Sequence, residues 1–183
     1  MGRVIAGLYK GRRLFTPEGM DTRPTTDRLK EALFGMLQFD LMGKSFLDLF
    51  SGSGQMGIEA LSRGASSADL VEMDRRALSC IRKNLTSLQL TDKARVWPLD
   101  VRRAISRFET EGRQFDWIFM DPPYLKGLED EIGSLIAGAG ILAPEGTLVI
   151  ESSSETVPCI DGLEKVREKV YKTTRFSFFV RKE

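Results

Sequence analysis

The chain has 183 residues, 42% of them hydrophobic, and a formal net charge of +1, which suits one compact domain able to bury a full core. It contains no histidine and only two cysteines, Cys80 and Cys159; this excludes Ser-His-Asp and Cys-His nucleophiles and makes a metal site or a disulfide framework unexpected. No apolar run approaches the roughly 20 residues of a membrane helix, and the first residues lack the apolar core of a signal peptide, so cytoplasmic residence is expected.

In chain order, residues 1–14 read as a small hairpin. Val4, Ile5 and Leu8 lie on the first arm, the turn falls near Lys10-Gly11, and the second arm runs toward Leu14. A loop with Pro17, Gly19 and Pro24 leads to a helix capped by Thr25 or Thr26, with Leu29, Ala32, Leu33 and Leu37 at helical spacing. Strands and helices then alternate. Strands are expected at Ser45–Phe50, Ala68–Met73, Ala94–Leu99, Phe115–Met120 and Gly146–Glu151. Helices are expected at Gln55–Arg63, Arg75–Leu88, Val101–Phe108 and Leu128–Ala137. Two last strands, Leu163–Tyr171 and Thr174–Val180, have no helix between them. Such alternation predicts an α/β, Rossmann-like fold: a seven-stranded, mostly parallel sheet with helices on both faces and a closing antiparallel hairpin. A single domain is expected, with residues 1–22 as an N-terminal extension and 23–183 as the core. Ligands of such sheets bind at the carboxyl ends of the strands.

Three acids and a glycine loop stand at those ends. Asp48-Leu49-Phe50-Ser51-Gly52-Ser53-Gly54-Gln55-Met56-Gly57 follows the first core strand and opens a helix. Glycines let a ligand approach the main chain, and the helix N-terminus adds free amides. Gly52, Gly54 and Gly57 also match the G-x-G-x-x-G pattern of dinucleotide sites. Asp48 beside the loop favours an ammonium over a pyrophosphate, and the chain is too short for a separate dehydrogenase domain. Glu72, ending the second strand, is placed to accept ribose hydroxyls; Asp74 competes for that role but suits the cap of the next helix. Asp100, after the third strand, is either an acceptor for an adenine amino group or a helix cap.

The most informative tetrapeptide is Asp121-Pro122-Pro123-Tyr124, after the strand Phe115–Met120. Prolines stiffen the turn and leave its carbonyls free as acceptors. An acid plus the Pro122 carbonyl accepts two hydrogen bonds from an exocyclic amine and orients its nitrogen, while Tyr124 offers a face to stack on a base. Elsewhere the same residues would be an ordinary strand-ending turn.

Together these segments resemble class I methyltransferases that act on exocyclic amines, and more narrowly the bacterial 16S rRNA guanine-N2 methyltransferase family (RsmD type). The likeness covers nearly the whole chain. It includes Arg3-Val4-Ile5-Ala6-Gly7 with Lys10-Gly11-Arg12, the block Arg23-Pro24-Thr25-Thr26-Asp27-Arg28, Glu31-Ala32-Leu33-Phe34, the glycine loop, Glu72-Met73-Asp74-Arg75 and Asp121-Pro122-Pro123-Tyr124. The resemblance implies S-adenosyl-L-methionine as cofactor, with Asp48, Gly52 and Gly54 at its methionine part, Glu72 at the ribose and Asp100 at the adenine. It further places Phe50, Met73 and Asp121 at the cofactor, and gives catalysis to Asp121, Pro122 and Tyr124. The block from Arg23 to Arg28 would lie over cofactor or substrate. The implied partner is 16S rRNA, in the small ribosomal subunit or an assembly intermediate, acted on by a monomer.

Charge agrees with a polyanionic partner. Residues 1–30 and 163–183 each hold seven Lys/Arg against three Asp/Glu. The two ends are basic, the middle acidic. Expected RNA contacts are Arg3, Lys10, Arg12, Arg13, Arg23, Thr25, Arg28 and Tyr124. A DNA adenine-N6 methyltransferase shares the tetrapeptide but usually carries a target-recognition insertion, for which there is no room. A protein-glutamine methyltransferase normally has Asn where Asp121 stands. A non-catalytic cofactor- and RNA-binding assembly module would not need Asp121 and Tyr124.

Overall fold

The computed structural model describes residues 1–19, 24–124 and 127–183, the side chains of residues 24 and 25 excepted. Two compact units make up the chain, Met1–Asp100 and Val101–Glu183.

The first unit opens with a two-stranded hairpin, β1 (Gly2–Arg3) against β2 (Arg13–Leu14), paired antiparallel. The turn of residues 8–11 falls near Lys10-Gly11 as expected, while the arms are shorter than the apolar alternation suggested. The reason lies in the backbone partners. The amides of Ile5 and Ala6 donate to the Glu59 carboxylate at 2.9 and 3.1 Å instead of to a facing strand. Farther along, Leu8 N–H donates to the Ser62 carbonyl, Tyr9 N–H donates to the Ser62 hydroxyl, and that hydroxyl donates to Ala6 O. The hairpin is thus bolted to the helix carrying Glu59 and Ser62.

Gly7 makes that close approach possible. Its φ is +84°, and a Cβ there would lie 2.0 Å from the Ser62 carbonyl oxygen. Gly7→Ala therefore combines backbone strain with a clash against main chain. The expected loss is about 2 kcal/mol or more of unfolding free energy, read by urea denaturation.

Helix α1 (Pro24–Leu37) follows. It begins before either Thr25 or Thr26 can serve as its cap, because proline is at home at the first helical position, where no N–H is needed. The parallel strands β3 (Ser45–Asp48), β4 (Ser67–Val71) and β5 (Ala94–Trp97) lie side by side in that order. Helices α2 (Gln55–Ser62) and α3 (Arg75–Ser87) connect them. Each strand ends two residues earlier than the apolar runs predicted. Leu49-Phe50, Glu72-Met73 and Pro98-Leu99 therefore belong to the loops. Phe34 and Phe46 stack at 6.1 Å between centroids inside this unit. On α3, Ala77, Leu78, Ile81 and Leu85 are buried, and Arg82, Lys83, Thr86 and Ser87 face solvent.

The second unit holds α4 (Val101–Thr110), β6 (Phe115–Met120), α5 (Leu128–Ala139), β7 (Leu142–Ser153), β8 (Leu163–Tyr171) and β9 (Thr174–Arg181). β6 and β7 pair in parallel, and β9 lies antiparallel between β7 and β8. β7 starts well before the expected Gly146, at Leu142, and runs through Pro144. A register shift opposite Phe115–Trp117 absorbs the residue that cannot donate to the ladder. Phe108 and Phe115 meet edge to face at 5.1 Å.

The seven larger strands are those of a mostly parallel sheet closed by an antiparallel hairpin, with the small hairpin apart, as the sequence predicted. Among the described residues, no helix is long and apolar enough to cross a membrane.

Candidate active site

The carboxyl ends of β3, β4 and β5 each deliver an acid. Asp48 is the last residue of β3 and is buried; Glu72 follows the last residue of β4; Asp100 comes three residues after β5. Gly52 and Gly54, at φ +56° and +84°, form the turn that carries the chain from β3 into α2, with Gly54 as the helix N-cap. Ser51 closes the turn: its hydroxyl donates to Asp48 O at 2.9 Å, and its carbonyl accepts from Gly54 N–H at 2.8 Å. Gly57 serves packing. A Cβ there would meet the buried Leu70 of β4 at 2.2 Å, so the glycine brings α2 tight against its strand.

Glu72 and Asp74 make different bonds. Asp74 caps α3, accepting from the amides of Arg76 and Ala77, both at 3.0 Å. These bonds hold its carboxyl below the usual carboxylate range, the one from Ala77 most of all. Glu72 accepts from Gly52 N–H at 2.8 Å through one oxygen, and from Met73 and Asp74 N–H through the other. It thereby ties the glycine turn to the end of β4. A carboxylate offers about four acceptor positions, so room for a hydroxyl donor remains. Phe50 is half-buried and Met73 is exposed.

In the second unit, Asp121 directly follows β6, Pro122 is buried, and Tyr124 is 79% exposed. Asp121 keeps solvent-accessible surface, yet the protein around its carboxyl strips away enough water to raise its pKa to about 6, with the nearby Glu129 charge adding to the effect. Tyr124 is raised as well, first by desolvation and then by the charges of Asp121 and Glu151. This is the pattern of an acid tuned for hydrogen-bonding and proton chemistry near neutral pH.

The expected RNA contacts are distributed as follows. Lys10, Arg13 and Arg28 are exposed. Arg3 is exposed and pairs with Asp27 at 2.9 Å, and Arg12 donates to Ser87 O at 3.2 Å. Arg23 and the Thr25 side chain lie outside the described residues.

Two residues that sequence reasoning passed over organise the first unit. Asn84, fully buried on α3, donates to Phe15 O and Ser53 O and accepts from Phe15 N–H, linking the hairpin's return to the glycine turn. Glu59, fully buried on α2, gathers the amides of Ile5 and Ala6 with Lys30 and Arg63. The signal for both was a polar residue at a core-facing helical position.

Acids at adjacent strand ends, with a glycine turn between strand and helix, define the class I methyltransferase fold. Consistent with that class, the fold matches a SAM-dependent methyltransferase from Agrobacterium tumefaciens at TM-score 0.66, with 18% identity over 88% of this chain and 63% of that one. The chain belongs to the family described as conserved hypothetical protein 95, whose model matches residues 2–180. It is 40% identical over 172 residues to ribosomal RNA small subunit methyltransferase D of Escherichia coli (strain K12), covering 92% of this chain and 84% of that protein. The solved structure of yhhF from Escherichia coli superposes at TM-score 0.86 with 36% identity, over 98% of this chain and 97% of the other.

Proposed function

We propose that this methyltransferase modifies the exocyclic N2 of a guanine in 16S rRNA of the small ribosomal subunit, with S-adenosyl-L-methionine as its donor. The observation that carries the reading is the Asp121–Tyr124 turn, which joins a carboxyl raised to about 6 to an exposed aromatic face. The relative named for the small subunit's RNA supports the substrate. The reading includes action in the cytoplasm, as a monomer, by one methyltransferase domain with residues 1–22 as its extension and 23–183 as its core.

The acids of the first unit fit this donor better than a dinucleotide. Asp48, Glu72 and Asp100 present negative charge, suited to an ammonium, to ribose hydroxyls and to an adenine amino group, and opposed to a pyrophosphate. Helix α2 has neither a side-chain cap nor an acid in its first turn, which leaves its positive end for the donor's carboxylate. Asp48, Phe50, Gly52 and Gly54 would hold the methionine part, Glu72 and Met73 the ribose, and Asp100 the adenine. When bound, the donor supplies an electrophilic methyl group on a sulfonium.

The remaining chemistry belongs to the second unit's residues. The Asp121 carboxylate and the Pro122 carbonyl accept the two amine hydrogens and so aim the nitrogen lone pair. Tyr124 stacks on the guanine. As the nitrogen gains its methyl group it becomes acidic, and Asp121 takes the departing proton. Fixing the amine in this way converts an encounter into an oriented reaction, where much of the rate enhancement of such transfers arises. A guanine within a stack must first be extruded, at a cost of a few kcal/mol.

The test is methylation of small subunits, extracted 16S rRNA and duplex DNA with isotopically labelled donor, followed by nucleoside mass spectrometry. Label as N2-methylguanosine in the RNA is expected. Label confined to N6-methyladenine in DNA, or no transfer, rejects the proposal.

A further inference from the structure

One aromatic ring of the first unit lies outside its core. Leu14 and Phe15 are consecutive large apolar residues on the return of the N-terminal hairpin. Leu14 is completely buried, and Phe15 is 47% exposed. Phe15 is not loose. Its N–H and C=O are both held by the carboxamide of the buried Asn84, at 2.7 and 2.9 Å, much as a neighbouring strand would hold them. The buried Asn84 that ties the hairpin's return to the glycine turn thus also fixes the backbone beneath this exposed ring. The ring lines an open groove of about 400 Å3 shared with Arg82, Lys83, Thr86 and Ser87 of α3. The Lys83 ammonium lies 6.0 Å from the ring centre. Arg12 reaches the same place, donating to Ser87 O with one of its five N–H groups.

A fixed aromatic face flanked by cations is the arrangement that binds single-stranded nucleic acid. The ring stacks a base, the cations follow the phosphates, and a hydroxyl such as that of Thr86 suits a ribose 2′-OH. The Lys83 ammonium beside the ring and the Arg82 that shares the groove suit a polyanion better than an apolar partner segment. We propose that a single-stranded segment of the substrate RNA crosses this groove, with one unpaired base stacked on Phe15 and its phosphates against Arg12, Arg82 and Lys83. The inference rests on the reading of the protein as an RNA methyltransferase. It adds a second point of grip, carried by α3, to the basic hairpin.

The experiment measures binding of the full chain to fluorescein-labelled single-stranded RNA by anisotropy over a salt series, beside methylation of small subunits. Phe15→Ala is expected to raise Kd about tenfold, whereas Phe15→Trp, which keeps a stacking face, stays near wild type. The double variant Arg82→Gln, Lys83→Gln is expected to flatten the slope of log K against log salt by about 1.4, two contacts at about 0.7 each. Melting temperatures within a few degrees of wild type show that the fold is intact. Should Phe15→Ala bind RNA within twofold of a wild type that methylates its substrate, the groove is not an RNA site, and the proposed function still stands. Should Phe15→Trp be as weak as Phe15→Ala, stacking is wrong. A wild type that neither binds nor methylates RNA removes the groove proposal together with the function beneath it.

Discussion

Replacing Asp121 with alanine is expected to lower the rate of methyl transfer about a thousandfold and to leave the fold intact. The residue has room at the surface, and no described hydrogen bond of the core depends on it. Its carboxyl is raised from 3.8 to about 6, by desolvation first and by Glu129 second. Only the ionised form accepts both a hydrogen bond and a proton, so the wild-type rate should climb through pH 6. It is expected to be about tenfold lower near pH 5 than near pH 8.

The same shift has a consequence for stability, with a definite sign. Between about 3.8 and about 6 the folded protein binds more protons at this site than the unfolded chain does. Stability contributed by the protonated acid is therefore present below the lower value and lost as pH rises through the upper one. Asp121→Asn, which cannot ionise, should melt at a higher temperature than wild type above pH 6, with the gap closing in acid. Calorimetry at several pH values checks this, and a quench-flow or single-turnover assay checks the rate. Full methylation by Asp121→Ala would end the catalytic assignment.

The second large effect concerns Glu59. Its side chain is completely buried, and Lys30 beside it is 1% exposed. One carboxylate oxygen accepts from Ile5 N–H and lies 3.8 Å from the Lys30 ammonium; the other accepts from Ala6 N–H and from Arg63 Nε at 2.9 Å. Burial pushes the Lys30 pKa down, and the Glu59 charge is the largest influence holding it up. Glu59→Ala removes the counter-charge of two cations and the acceptor of two amides at once, at a buried site. Breaking such a buried arrangement from one side costs about 3–5 kcal/mol. Denaturant unfolding should show that loss, and limited proteolysis should show cleavage in residues 1–14 before the rest. A double change, Glu59→Gln with Lys30→Met, should recover a good part of the stability, because it removes one buried charge with its partner. A loss below about 1 kcal/mol for Glu59→Ala would mean that the hairpin is held by something else.

The two residues mark different degrees of legibility in the sequence. The place of Asp121 at a stiff turn directly after a strand was readable because the prolines and aromatic that follow it are consecutive in the chain. The glycine turn was readable for the same reason, since its backbone angles are set by residue type. Strand and helix order followed from periodicity, which one-dimensional spacing records faithfully. Strand ends were less well read. The apolar runs continue through Phe50, Met73 and Leu99, while the chain turns away two residues earlier, leaving Asp48 at the last position of β3 and Glu72 and Asp100 in loops.

What the sequence by itself determined is the class of fold, the family, and which local segments carry acids, glycines and the Asp-Pro-Pro-Tyr turn, because each depends on neighbours along the chain. Tertiary structure alone decided that Glu72 holds the glycine turn, that Glu59 anchors a hairpin more than 50 residues away, and that Asn84 displays Phe15. The physical reason is that a buried polar group must find its partners in space. Burial, like the loss of water that raises Asp121, exists only once the chain has closed around the group.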